Sequence, residues 1–154
     1  MSIIAILQGW RNNQRKVILK TKTINQTVII RNASSSEIYE ILMDSEKHAE
    51  LVNSTAEIST EIGGKFEVYD GYIKGTNIEL IKNRKIVQYW RGDEDCWPED
   101  HFSKLTINLE KVNEGTKINL VQESVPEECY DDFNKGWYEF YWNPLKELFE
   151  PEHS

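Results

Sequence analysis

Two periods of apolar residues divide the chain. After Asn53 the pattern alternates with period two, and turn residues interrupt it at Gly63-Gly64, Asp70-Gly71, Asn83 and Asn113-Glu114-Gly115. Alternation between such breaks predicts antiparallel strands with one buried face. The inward positions are Phe66 and Val68, Ile73, either Val87 with Tyr89 or Ile86 with Trp90, then Leu105, Ile107 and Leu109, and finally Ile118 and Leu120. From Pro126 to Phe149 the period changes to three and four. Tyr130, Phe133, Trp137, Phe140, Tyr141, Leu145 and Leu148 then share one face of a long helix. Glu127, Glu128, Asp131 and Asp132 suit the positive end of its dipole, and Pro144 predicts a kink or restart after Asn143. Gly136, beside Trp137, is expected to let this helix approach the sheet closely.

Upstream, the β-branched run from Ile24 to Arg31 predicts a first strand. Ser34 with Glu37 forms a capping box for a short helix whose Ile38, Ile41 and Leu42 face inward, and Asp44-Ser45 starts a second one ending near Leu51. The order strand, two helices, strand meander, helix predicts an α+β fold in which the long helix covers one sheet face.

Composition narrows the classes. At 154 residues with 39% hydrophobic content the chain fits one domain, and no apolar run approaches the roughly 20 residues that span a bilayer. We divide it into a basic arm (1–23), a main domain (24–150) and a short tail (151–154). The arm carries Arg11, Arg15, Lys16, Lys20 and Lys22 and no acid, whereas the net charge is -8. It lacks the continuous apolar core of a signal peptide, and a hairpin, an edge strand or a short helix each fit it. The acidic body repels phosphate backbones, so nucleic acid is not an expected partner. Cys96 and Cys129 form no CxxC and lie near no histidine cluster, which predicts free structural thiols in a reducing, cytoplasmic setting.

Candidate chemistry is sparse. Asp93, Glu94 and Asp95, with Glu99 and Asp100, are dense but lack the alternating ligands and central glycine of a calcium loop. His48 and His101 are isolated. No GxSxG, phosphate loop or GxGxxG is present, so no catalytic residue, metal site or cofactor is assigned.

Several stretches together carry a resemblance: IGGKFEVYDGYIKGTNIEL, KIVQYWRGDEDCWPEDHFSKLTINL, GTKINLVQESVP and GWYEFYWNPLKELF. Gly63-Gly64-Lys65-Phe66, Asp70-Gly71, Trp90-Arg91, Trp97-Pro98-Glu99 with His101-Phe102, and Gly136-Trp137 resemble the C-terminal domain of activators of the Hsp-90 ATPase. The resemblance covers Ile24 to Glu150. It implies a helix-grip fold of the START-like, Bet v-type superfamily, with a curved antiparallel sheet wrapped around the long helix. It also implies a co-chaperone that binds an Hsp-90 chaperone and stimulates ATP hydrolysis, itself without a catalytic residue.

Two alternatives stand beside that reading: a carrier of an apolar small molecule or lipid, and an enzyme using the same cavity. The candidate pocket residues are Phe66, Tyr69, Trp90, Trp137 and Tyr141. The candidate partner surface is the loop from Asp93 to Phe102, with Asp93, Asp95, Trp97, Pro98, Glu99 and His101. Trp97 either anchors a partner or folds back as a plug.

Overall fold

The structure, a computed structural model, describes residues 19–150. The expectations for most of the arm and for the tail lie outside them. Seven antiparallel strands form one sheet in the order β1-β7-β6-β5-β4-β3-β2. They are β1 (Thr21–Arg31), β2 (Ala56–Ile58), β3 (Lys65–Val68), β4 (Ile73–Ile81), β5 (Lys85–Gly92), β6 (Ser103–Val112) and β7 (Gly115–Pro126). Helices α1 (Ser35–Met43) and α2 (Ser45–Val52) follow β1 directly. The C-terminal helix comprises a 3-10 turn (Glu127–Cys129), α3 (Tyr130–Trp137), a π-helical turn (Tyr138–Trp142) and α4 (Asn143–Phe149). This is the α+β helix-grip arrangement.

Local chemistry fixes most boundaries. The Ser34 hydroxyl accepts from the Glu37 N–H at 3.1 Å, and the Glu37 carboxylate accepts from the Ser34 N–H at 2.9 Å, so the capping box is complete. Asp44 closes α1 and caps α2 by accepting from the Lys47 N–H at 2.9 Å. β1 begins at Thr21, earlier than the alternation suggests, because a bulge between Lys22 and Ile24 lets its first residues pair with Val125 and Pro126. In β5 the inward residues are Ile86, Gln88 and Trp90, while Tyr89 is exposed.

The long helix departs from a single 3.6-residue stripe. Trp137, Tyr141, Trp142 and Leu145 are buried, but Phe140 and Leu148 are exposed. The cause is the π-helical turn, where the Asn143 N–H reaches back to the Tyr138 carbonyl, five residues away. One extra residue per turn carries Trp142 into the core and Leu148 out. The helix continues through Pro144 at the start of α4, where the ring's missing N–H falls in a stretch already shifted to wider hydrogen bonding.

Two indoles fix this helix to the sheet. Trp137 Nε1–H donates to Gln122 Oε1 at 2.8 Å, and Trp142 Nε1–H donates to Gln26 Oε1 at 2.7 Å. Gln26 also donates to the Asn134 carbonyl at 2.7 Å, and Gln122 donates to Ser103 Oγ at 3.0 Å, which donates to the Trp90 carbonyl at 2.8 Å. The two indoles stack at 5.7 Å with an 18° interplanar angle.

A second polar contact joins the helix to α2. His48 is buried, with Nδ1 2.9 Å from the Leu42 carbonyl and Nε2 2.8 Å from the Tyr141 hydroxyl. A carbonyl only accepts, so Nδ1 carries the proton, and Nε2 accepts from the Tyr141 O–H. Burial pushes the His48 pKa down, partly offset by the Leu42 carbonyl.

Trp137→Ala is expected to cost about 3–5 kcal/mol as a large-to-small core change. Trp142→Phe keeps a ring but strands Gln26 Oε1, costing about 1–3 kcal/mol. Urea unfolding midpoints measure both, and an unshifted Trp142→Phe midpoint would mean that its hydrogen bond carries no stability. For His48 the unfolded chain binds a proton below about pH 6.5, whereas the folded chain resists it. Its contribution is therefore complete above that pH and lost as pH falls toward the lowered folded value. Stability measured between pH 7.5 and 5 should decline less steeply in His48→Gln than in wild type.

Candidate functional site

The space between sheet and helix is nearly filled. Its residual inner cavity, about 30 Å³, touches His48, Phe66, Trp90, Trp137 and Tyr141. A separate pocket of about 410 Å³ opens on the other side of Trp90 and Trp137. Its walls are the α3 face and π-helical turn, the β3–β4 connection with Tyr69 and Tyr72, and the β5–β6 loop with Glu94 and Cys96. Of the five pocket candidates, Tyr69, Trp90, Trp137 and Tyr141 therefore meet at this pocket, while Phe66 lies at the inner cavity and at a separate depression beside β3, not here. Broader depressions of about 690 and 830 Å³ flank α1, but charged residues such as Glu37, Glu40, Lys47 and Lys82 line them.

Gly136 helps to explain why the pocket exists. A Cβ there would meet only the Phe140 ring, at 3.8 Å, so this glycine does not serve the close approach expected of it. It leaves room instead, and it lines the pocket. The close approach belongs to Gly92, where a Cβ would lie 2.7 Å from the tip of the Phe133 ring. Phe133 in turn packs edge-on against Trp90 and Trp97.

Polar groups on the pocket wall are few. The Tyr72 hydroxyl donates to the Glu94 carboxylate, and Asp132 also lines the pocket. Burial first, then Glu94, and more weakly Asp132 and Asp93, push the Tyr72 pKa far up. Tyr69 Oη is buried without a hydrogen-bond partner among the described residues, and its pKa is raised by burial and by Glu139. Tyr141 is raised by burial. All three phenols stay protonated at neutral pH.

The β5–β6 loop forms the outer wall and is held from three sides. Arg91, buried at the end of β5, donates through Nη1 to the Pro98 carbonyl at 3.1 Å and to the Glu99 carbonyl, and through Nη2 to the Trp97 carbonyl at 3.3 Å. Trp97 is 3% exposed; it packs on Trp90 and Phe133, and its Nε1–H donates to the His101 carbonyl at 2.7 Å. The plug alternative is thus the observed geometry for Trp97. His101 Nε2–H donates to the Ser124 carbonyl at 2.7 Å, tying the loop to β7.

The third tie corrects an expectation. Cys96 and Cys129 are joined as a disulfide, with Cα atoms 6.1 Å apart, and are not free thiols. Separated by 33 residues, they become neighbours only because the loop folds back onto the start of the C-terminal helix. What remains exposed on the loop is Asp93, Glu94, Asp95, Pro98, Glu99, Asp100 and Phe102. Among the described residues no group of three or more His, Cys, Asp or Glu side chains is placed to hold a metal, and no helix is long and apolar enough to cross a membrane.

The fold recurs in solved structures. An Hsp90 activator from Plasmodium falciparum matches with TM-score 0.68 and 23% identity, over 83% of this chain and 94% of that one. The Aha1 dimer from Colwellia psychrerythraea matches with TM-score 0.72 and 20% identity, over 86% and 99%. In sequence, the activator of 90 kDa heat shock protein ATPase homolog 2 of Mus musculus is 31% identical over 114 residues, 74% of this chain and 34% of that protein. Homolog 1 of Homo sapiens is 26% identical over 127 residues, 82% and 36%. The chain thus spans about a third of the length of these curated relatives. Residues 32–150 match the family described as activator of Hsp90 ATPase homolog 1-like protein, and the chain belongs to that family.

Proposed function

We propose that this chain is a co-chaperone-like protein that docks on an Hsp90-type chaperone and stimulates its ATPase. The observation that carries this reading is the family match across nearly the whole described domain, residues 32–150. The β5–β6 loop is its docking surface. Arg91, the Trp97 plug and the Cys96–Cys129 bridge hold the loop in one shape, so little ordering entropy is lost on binding. Its exposed acids, Asp93, Asp95, Glu99 and Asp100, steer it toward a basic patch, and Pro98 and Phe102 supply apolar contact. Trp97 and His101 act from beneath, by shaping the surface.

A second reading, carriage of an apolar small molecule, draws on the 410 Å³ aromatic pocket, whose size falls in the range of small-molecule sites.

The test is steady-state ATPase activity of an Hsp90 chaperone from the same cell, titrated with the full chain. Saturable stimulation is expected. Asp93→Lys/Asp95→Lys/Glu99→Lys should raise the half-maximal concentration by about tenfold and blunt its salt dependence. No stimulation by wild type would overturn the co-chaperone reading. Unchanged stimulation by the triple variant would place the docking surface elsewhere.

A further inference from the structure

We propose that the pocket between the C-terminal helix and the β5–β6 loop binds an amphiphilic amine, with its apolar body against the aromatic walls and its ammonium among the carboxylates at the rim. This rests on the carrier reading and gives it a ligand class.

The walls set the first half of the chemistry. Trp90, Trp137, Phe133 and Phe140 supply ring faces and edges around a space that Gly136 leaves open. Such surfaces favour an apolar body, and their electron-rich faces also attract a cation. The rim sets the second half. Glu94 and Asp132 line the pocket, and among the described residues no Lys, Arg or His does. Asp93 lies close enough to act with them on the Tyr72 hydroxyl, and Glu139 acts on Tyr69. Tyr72 donates to Glu94 and so fixes that carboxylate at the rim.

These charges discriminate. A fatty acid would bring a fourth negative charge to Glu94, Asp132 and Asp93, so the common anionic lipids are disfavoured. A neutral alcohol or sterol would fill the aromatic space but leave the rim carboxylates partly desolvated without a counter-charge. A protonated amine meets both demands, and the chain's net charge of -8 draws it in. The Tyr69 hydroxyl, buried without a hydrogen-bond partner among the described residues, is a further acceptor in the same wall.

Trp90 and Trp137 make intrinsic fluorescence a direct readout. The full chain is titrated with decylammonium, decanol and decanoate, each below its micellar concentration. Decylammonium is expected to saturate at a concentration about tenfold lower than decanol, with no saturable response to decanoate. Glu94→Gln/Asp132→Asn should bring decylammonium to the decanol level and leave decanol unchanged. Gly136→Leu, which fills the open space, should abolish binding of both; its urea midpoint confirms that it folds. Equal affinity for decylammonium and decanol, or preference for decanoate, overturns the amine assignment while the carrier reading survives. Failure of all three to bind saturably overturns both, and the chaperone ATPase assay is indifferent to either result.

Discussion

Two indole N–H groups held by two buried glutamines determine where everything else lies. A tryptophan-rich helix laid on an apolar sheet face has many nearly equivalent seats, because dispersion and burial are not directional. Trp137 on Gln122 and Trp142 on Gln26 remove that freedom, since sliding or rotating the helix would strand a buried donor and a buried acceptor at each point. Gln26 lies on β1 and Gln122 on its neighbour β7, so both ends of the chain's fold are joined at one place. Asn134, one turn before Trp137, takes the spare amide of Gln26. The helix is thus registered along its axis and about it.

With that seat fixed, both halves of the helix touch the sheet, and each has a different further neighbour. The π-helical turn and α4 press on the core through Trp142 and Leu145, both fully buried. On the α3 side, Phe133 meets the β5–β6 loop, and Gly136 leaves the pocket between them open. The loop consequently has two surfaces with different tasks. Its inner side closes the aromatic pocket through Trp97 and Cys96, and its outer side shows acids to solvent. Arg91 serves both, because the carbonyls it binds belong to the residues that turn the loop over.

Much of this was legible from the residues. The capping box at Ser34, the Asp44 cap, the strand alternation and the family motifs led to the helix-grip fold, and four of five pocket aromatics do meet. What escaped depended on distant contacts. A 3.6-residue stripe assigned Phe140 and Leu148 inward and passed over Trp142, because the shift to π geometry leaves no mark in hydropathy. The disulfide escaped for a related reason: 33 residues separate its cysteines, and only the tertiary path of the loop makes them neighbours. At Gly136 the sequence points to close packing where the structure has open space, because a glycine marks either and composition alone does not tell which. The sequence leaves Trp97 open between plug and anchor, because the ring that holds it inward, Phe133, lies thirty-six positions further along the chain.

The π-helical turn also sets where the helix can change length. Each residue of an α-helix advances the screw by roughly 100°, so a deletion within α3 or α4 would swing every later side chain by that angle relative to Trp137. The wide turn holds one residue more than an α turn over about the same arc. Deleting one residue between Tyr138 and Trp142 would close it to ordinary α geometry and leave Leu145 in its buried seat. A helix with the wide turn and one lacking its extra residue are therefore superimposable on both sides of it, and related chains are best aligned by counting from each side of that turn separately.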